Sequence, residues 1–320
     1  MLHILIAMKP LHAEFLIFIA AVIWGLSYVF VKEGLFFVSP ALFLLIRFSA
    51  ALLITFFFFG CLSLKTLKWK TWKRGLFLGA LFGGAYLLQT YAVNFTTIAK
   101  ASFITALVLP AVPFVSWFLI KKPITIWNII GVLLALFGIY LLVDPDLQEF
   151  KNIQTGDIIA LCSVPLWAFY LNYIDIYTSE MEEDANTAKM LMLQFLGAIP
   201  VLLLVTIIFE TNRFISPLHP DLGKGFLWNS PDLWKFFVCL GYLALLGSFA
   251  LTFLQTAAQK YTTPVKAMIL FQFEPIIATV AAVWYYQDVF NFKMGLGCVT
   301  ILLAVLVSEL GAIIFTRKNN

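Results

Sequence analysis

From Pro40 to Gly60 the sequence reads PALFLLIRFSAALLITFFFFG, and Arg47 is its one charged residue. A run of about 20 apolar residues is the length of helix that crosses the hydrocarbon core of a bilayer. Such runs recur, and we expect ten spans, at about 14–34, 40–60, 73–94, 98–119, 125–143, 157–178, 188–209, 233–257, 263–286 and 292–315. A backbone in lipid must satisfy its own polar groups, so only helices and closed barrels cross a membrane. Continuous runs of this length specify helices. The expected fold class is all-α: a polytopic membrane protein with ten transmembrane helices. Composition agrees, with 62% hydrophobic and 12% charged residues, where a soluble domain carries about a quarter charged.

Proline placement refines this picture. Pro40, Pro123 and Pro264 fall near expected helix starts, where a missing N–H costs little. Pro110, Pro113, Pro165, Pro200 and Pro275 fall inside helices and are expected to kink them. Two connections are long: the acidic stretch 144–156 and the loop 210–232, read as extracytoplasmic. No cleavable leader is expected, because the first apolar run is long enough to span and lacks a small-residue cleavage site. Lys and Arg favour the cytoplasmic side. With the N-terminus inside, thirteen basic residues fall inside and seven outside, Arg47 lying within a span. Both termini are therefore expected in the cytosol, for a multi-pass protein of the inner (cytoplasmic) membrane. Trp69, Trp72, Trp127, Trp228 and Trp234 fall at expected interfaces, as aromatic belts do.

The chain repeats itself. LLQTYAVNFTTIAKA (87–101) and FLQTAAQKYTTPVKA (253–267) share eight identities at an offset of 166, among them Gln89 with Gln255 and Lys100 with Lys266. Chance gives about one. Gly131 meets Gly297 at the same offset; Trp24 meets Trp167 at 143 and Arg47 meets Gln194 at 147. We therefore expect two five-helix repeats, over 1–144 and 156–316. An odd number of spans enters the second repeat upside down, the inverted-repeat plan of secondary transporters, whose substrate site lies near the midplane between the halves.

The stretches WGLSYVFVK, LLIRFSAALL, TTIAKASFITALVLPAVP, QKYTTPVKAMILFQFEPIIA and SELGA resemble the EamA family of the drug/metabolite transporter superfamily over nearly the whole chain. That resemblance implies two inverted halves around a central cavity and alternating-access movement of small organic solutes, often by export. The chain departs from the pattern in its long loop before helix 8. It also has Val108 and Leu109 where the second half has Glu274 and Pro275.

An ionisable group at membrane depth is a functional candidate. Arg47 is read either as a structural clamp or as an anion-binding fork. Glu274 is read as pairing with Lys266 or Arg47, as contacting a substrate amine, or as carrying a coupling proton. Gln89 and Gln255 either frame the cavity or bond helix to helix. Gln272 is a further candidate. Trp24, Tyr86, Trp167 and Tyr170 lie deep and are read as a stacking wall or as packing. Lys100 and Lys266 are expected to snorkel to headgroups or cap a neighbouring helix, with the Thr-Thr pairs before them as N-caps.

No P-loop is present, so ATP hydrolysis is not expected. His3, His12 and His219 are scattered, and the four cysteines lack CxxC spacing, so neither a metal nor a cofactor is expected. HExxH and paired carboxylates within one helix are missing, which argues against a membrane-embedded enzyme. The expected partners are a small-molecule substrate, membrane lipid, and a proton or counter-substrate, with no nucleic acid. The expected function is secondary transport, by export, of small metabolites, amino acids or their derivatives preferred. The alternatives are nucleotide-like or lipophilic substrates, or a receptor or scaffold without flux.

Overall fold

The computed structural model describes residues 10–59, 64, 67–121, 123–143, 153–179, 187–210, 231–258, 270–271 and 273–319. Among them the chain forms ten helices and no strand. These are α1 (Pro10–Gly34), α2 (Pro40–Phe59), α3 (Trp69–Phe95), α4 in two segments (Ile98–Thr105 and Val108–Ile120) and α5 (Ile126–Val143). Then come α6 (Thr155–Ser179), α7 (Thr187–Val205, continued by a π turn Thr206–Glu210), α8 (Leu233–Gly241, a π stretch Tyr242–Ala250, then Leu251–Ala258), α9 (Phe273–Tyr286) and α10 (Phe292–Asn319). Seven of them are long and apolar enough to cross a membrane: α1–α4 and α6–α8. The chain is a multi-pass membrane protein. The expected start of helix 9 near residue 263 lies outside the described residues, as do Lys266, Gln272 and the acidic loop 180–184.

Local chemistry explains the breaks. Proline has no N–H, and its ring clashes with the carbonyl four residues back. Pro110 therefore denies a partner to the Ala106 carbonyl, and α4 breaks there. That carbonyl accepts instead from the Leu109 N–H at 3.2 Å, a tighter turn. Pro113, Pro165 and Pro200 remain inside α4, α6 and α7. Pro275 stands in the first turn of the described part of α9. Thr97 caps α4 as expected, accepting from the Lys100 N–H at 3.3 Å.

The two halves interleave. α3 packs between α6 and α7, α1 lies against α8 and α9, α2 against α7, and α5 against α10. Small residues permit the closest crossing: a Cβ on Gly79 would stand 2.3 Å from the Gln194 carbonyl oxygen, and one on Gly197 would stand 2.2 Å from that of Leu76. Close backbone approach of this kind is how helices associate where lipid removes the hydrophobic drive. Outward faces carry Leu53, Phe57, Leu133, Phe137, Trp284 and Leu303, all exposed and suited to lipid tails. Trp69, Trp127 and Trp234 are exposed at helix starts, where belts belong; Trp228 lies outside the described residues.

The ends of α1, α3, α7 and α9 gather with the starts of α2, α4, α6 and α8 at one face, hereafter the far face. Tyr286 of α9 donates to Glu33 of α1 at 2.7 Å there. At the opposite, near face, Asn128 at the start of α5 donates to the Ser308 carbonyl of α10 at 3.3 Å and to its hydroxyl at 3.2 Å.

Candidate functional site

The helical period puts Trp24 and Tyr28 on one face of α1 and Tyr86 and Gln89 on one face of α3. These faces meet: the Gln89 side-chain N–H donates to the Tyr28 hydroxyl at 2.6 Å. α9 reaches the same place because Gly25 has no side chain; a Cβ there would lie 2.7 Å from the Glu274 carbonyl oxygen. The Glu274 carboxyl then neighbours the Tyr28 hydroxyl. Phe271 lies 5.5 Å from Trp24. Tyr28 thus joins Trp24, Gln89 and Glu274. Sequence reasoning missed it, although its spacing of four from Trp24 was a usable signal.

Tyr86 joins the rest. Its ring lies 4.9 Å from Trp167, which in turn lies 5.6 Å from Tyr170. The Tyr170 hydroxyl donates to Gln194 at 2.9 Å. On its other side Tyr86 carries the Arg47 guanidinium at 5.1 Å from its ring centroid. Seven of the nine residues singled out from sequence therefore form one continuous cluster. The eighth, Gln255, sits in the last part of α8, and its side chain lies outside the described residues, as does all of Gln272.

Arg47 is 1% exposed. Its Nε donates to Ser248 Oγ at 2.8 Å and a terminal nitrogen donates to the Gly247 carbonyl at 3.2 Å. That carbonyl is available because α8 is wound as a π stretch there, which loosens the usual backbone ladder. Arg47 pairs with no carboxylate among the described residues, and Glu274 is not its partner. Arg47→Ala leaves two buried acceptors and a hole. We expect a loss of about 2 kcal/mol or more, read as a lower melting midpoint. Arg47→Lys is expected between the two, because it keeps the charge and loses the planar fork.

Three buried polar atoms in the cluster have no hydrogen-bond partner: Nε1 of Trp24, Nε1 of Trp167 and Oε1 of Gln89. Unpaired buried polar atoms are uncommon and each calls for an explanation.

Two further buried acids stand at the far face, both fully partnered. Glu210, 1% exposed, accepts from the Ser39 hydroxyl at 2.5 Å, from the N–H groups of Ala41 and Leu42 at 3.1 Å each, and from the Tyr91 hydroxyl. It belongs to the π turn ending α7, not to the loop where the sequence reading placed it. Asp157, in the first turn of α6, accepts from the Thr96 hydroxyl and from the Gln154 N–H at 3.0 Å, and lies 3.5 Å from Lys100. Lys100 is buried in this contact instead of snorkelling, because α6 brings a carboxylate within reach.

Comparison with known proteins places this architecture. The model of the EamA-like transporter family matches the chain twice, over residues 11–144 and 154–310. The chain belongs to the EamA-like transporter family. It is 26% identical over 303 residues to an Archaeoglobus fulgidus protein described as an uncharacterized transporter, covering 94% of this chain and 87% of that one. A second protein of that description and organism is 27% identical over 249 residues, covering 72% and 78%. A solved crystal structure superposes with a TM-score of 0.63 at 15% identity, covering 95% of this chain and 98% of the other, which supports the fold. This EamA chain is a membrane transporter, so a small-molecule substrate and a lipid environment follow.

Proposed function

We propose that this protein is a secondary transporter that exports amino acids or their derivatives by alternating access between two inverted five-helix halves, 1–144 and 156–316. The observation that carries the reading is the cluster itself. Trp24, Tyr86, Gln89, Trp167, Tyr170 and Glu274 come from both halves, and three of its buried polar atoms are left without protein partners. A site that awaits a polar guest has this character. The single acidic group beside Tyr28 suits an ammonium, and the surrounding rings suit an apolar side chain. Gln255 and Gln272 are assigned to the same site on their positions in sequence.

Alternating access requires that each face open in turn. The Thr96–Lys100–Asp157 contact ties α3 and α4 to α6 at the far face, which supports reading this conformation as closed on that side. The basic-residue count puts that face outside and both termini in the cytosol of a cytoplasmic membrane.

Counterflow in proteoliposomes tests the reading. Vesicles loaded with an unlabelled amino acid are expected to take up its labelled form at least several-fold faster than empty vesicles. A carrier gives this acceleration, whereas a channel or a scaffold without flux does not. Equal uptake in loaded and empty vesicles across the amino acids would refute the proposal. A reporter fused after Asn320 is expected to be active on the cytosolic side only.

A further inference from the structure

The three unpartnered atoms differ in polarity, and that difference specifies a ligand. An indole N–H donates only, so Trp24 and Trp167 offer two donors. Gln89 has spent a side-chain N–H on Tyr28 at 2.6 Å and offers its carbonyl oxygen, an acceptor. Glu274 lies beside the same Tyr28 and adds a second acceptor, a carboxyl oxygen. Trp24 and Tyr28 stand one turn apart, while Trp167 and Gln89 are linked through Tyr86. Two donors and two acceptors thus belong to one cluster of side chains from α1, α3, α6 and α9. Arg47, the obvious reader of an anion, is engaged by Ser248 and Gly247. Trp24 and Trp167 also occupy matching positions of the two repeats, at an offset of 143.

Building on the transport reading above, we propose that the paired indoles of Trp24 and Trp167 are a neutral two-donor subsite for a carboxyl or carbonyl oxygen of the substrate, with Gln89 Oε1 and Glu274 receiving its primary ammonium. The oxygen-bearing group is held between the halves by one donor from each. Because both donors are uncharged, the subsite accepts a primary amide as well as a carboxylate. An amine without any such oxygen leaves both indoles unsatisfied. An acid without an amine leaves Gln89 and Glu274 unsatisfied.

The test is a thermal-shift titration of the purified full-length protein with eight compounds. They are leucine, leucinamide, 3-methylbutylamine and 4-methylpentanoate, and phenylalanine, phenylalaninamide, 2-phenylethylamine and 3-phenylpropanoate. In at least one series the amino acid and its amide are expected to bind about ten-fold or more tightly than the amine and the acid, the value of roughly one good hydrogen bond. Trp24→Phe and Trp167→Phe keep a ring and remove the donor. Each is expected to weaken the amino acid and the amide about ten-fold and to leave the amine unchanged. A purely structural tryptophan gives a different pattern: lower melting without ligand and unchanged selectivity among the eight compounds. That pattern overturns the subsite, as does an amine that binds as well as its amino acid. If none of the eight binds, the subsite is refuted. Counterflow then decides separately: flux of any other amino acid preserves the transport reading without this subsite, and its absence removes both.

Discussion

Glu210→Ala is expected to lower the melting midpoint of the purified protein by about 8 °C or more, the largest stability effect in the molecule. The carboxylate sits 1% exposed and accepts from the Ser39 and Tyr91 hydroxyls and from the backbone N–H groups of Ala41 and Leu42. Those two amides belong to the first turn of α2, whose own geometry leaves them without acceptors. A negative charge there also opposes the positive end of the helix dipole. Truncation strands the two backbone N–H groups and the Ser39 hydroxyl and removes an acceptor from the Tyr91 hydroxyl. Loss of a helix cap costs about 0.5–2 kcal/mol, and stranded buried donors cost about 1–3 kcal/mol each where water cannot reach them. Even with partial relaxation about 4 kcal/mol is expected, and each kcal/mol shifts the midpoint of a large domain by about 2 °C or more. Glu210→Gln retains one acceptor oxygen and adds an NH2 that cannot accept, so it should fall between. A shift below about 2 °C for the alanine variant would show that the surrounding donors find other partners and that Glu210 is not the clamp joining α7 to α2 and α3.

Much of the fold was legible because lipid imposes a simple grammar. Apolar runs of helical length specify spans, Pro110 marks the α4 break through the orphaned Ala106 carbonyl, and the repeat announces a duplicated unit. The candidate cluster drew attention for the same reason: Arg47, Gln89 and Glu274 stand out because polar groups are costly at that depth. Glu210 was not legible. It ends an apolar run and precedes a proline-rich loop, and nothing local ties it to Ser39, which lies 171 residues away. The π turn that aims it inward depends on packing, not on propensity. The snorkelling alternative for Lys100 fails for a related reason. As a lysine at a helix start it suits the headgroups, and only the tertiary placement of α6 puts Asp157 beside it.

The structure sorts the buried charges. Arg47 has Ser248 and Gly247, Lys100 and Asp157 have each other, and Glu210 has four donors. These contacts join helices. Glu274 is different. Among the described residues no cation lies against it, and its neighbour is the Tyr28 hydroxyl. An acid within the helix bundle held for structure alone would be expected to show the dense partnering of Glu210.

Glu274→Gln should therefore separate function from folding. The amide has nearly the shape of the carboxylate and can still bond Tyr28, so the melting midpoint without ligand is expected to move by less than about 2 °C. If Glu274 holds the substrate ammonium, counterflow below saturation should fall at least ten-fold. The loss then appears as weaker binding: removing one member of a buried charge pair costs about 2–5 kcal/mol, or about 30-fold or more in affinity. Saturating substrate then restores much of the rate. If Glu274 instead carries a coupling proton, affinity is kept and exchange of labelled for unlabelled solute persists, while accumulation driven by an imposed proton gradient disappears. Exchange and gradient-driven accumulation, measured on the same vesicles, distinguish these roles. Unchanged values of both would remove Glu274 from the transport cycle and leave the uncharged groups, the two indoles and Gln89 among them, to read the substrate.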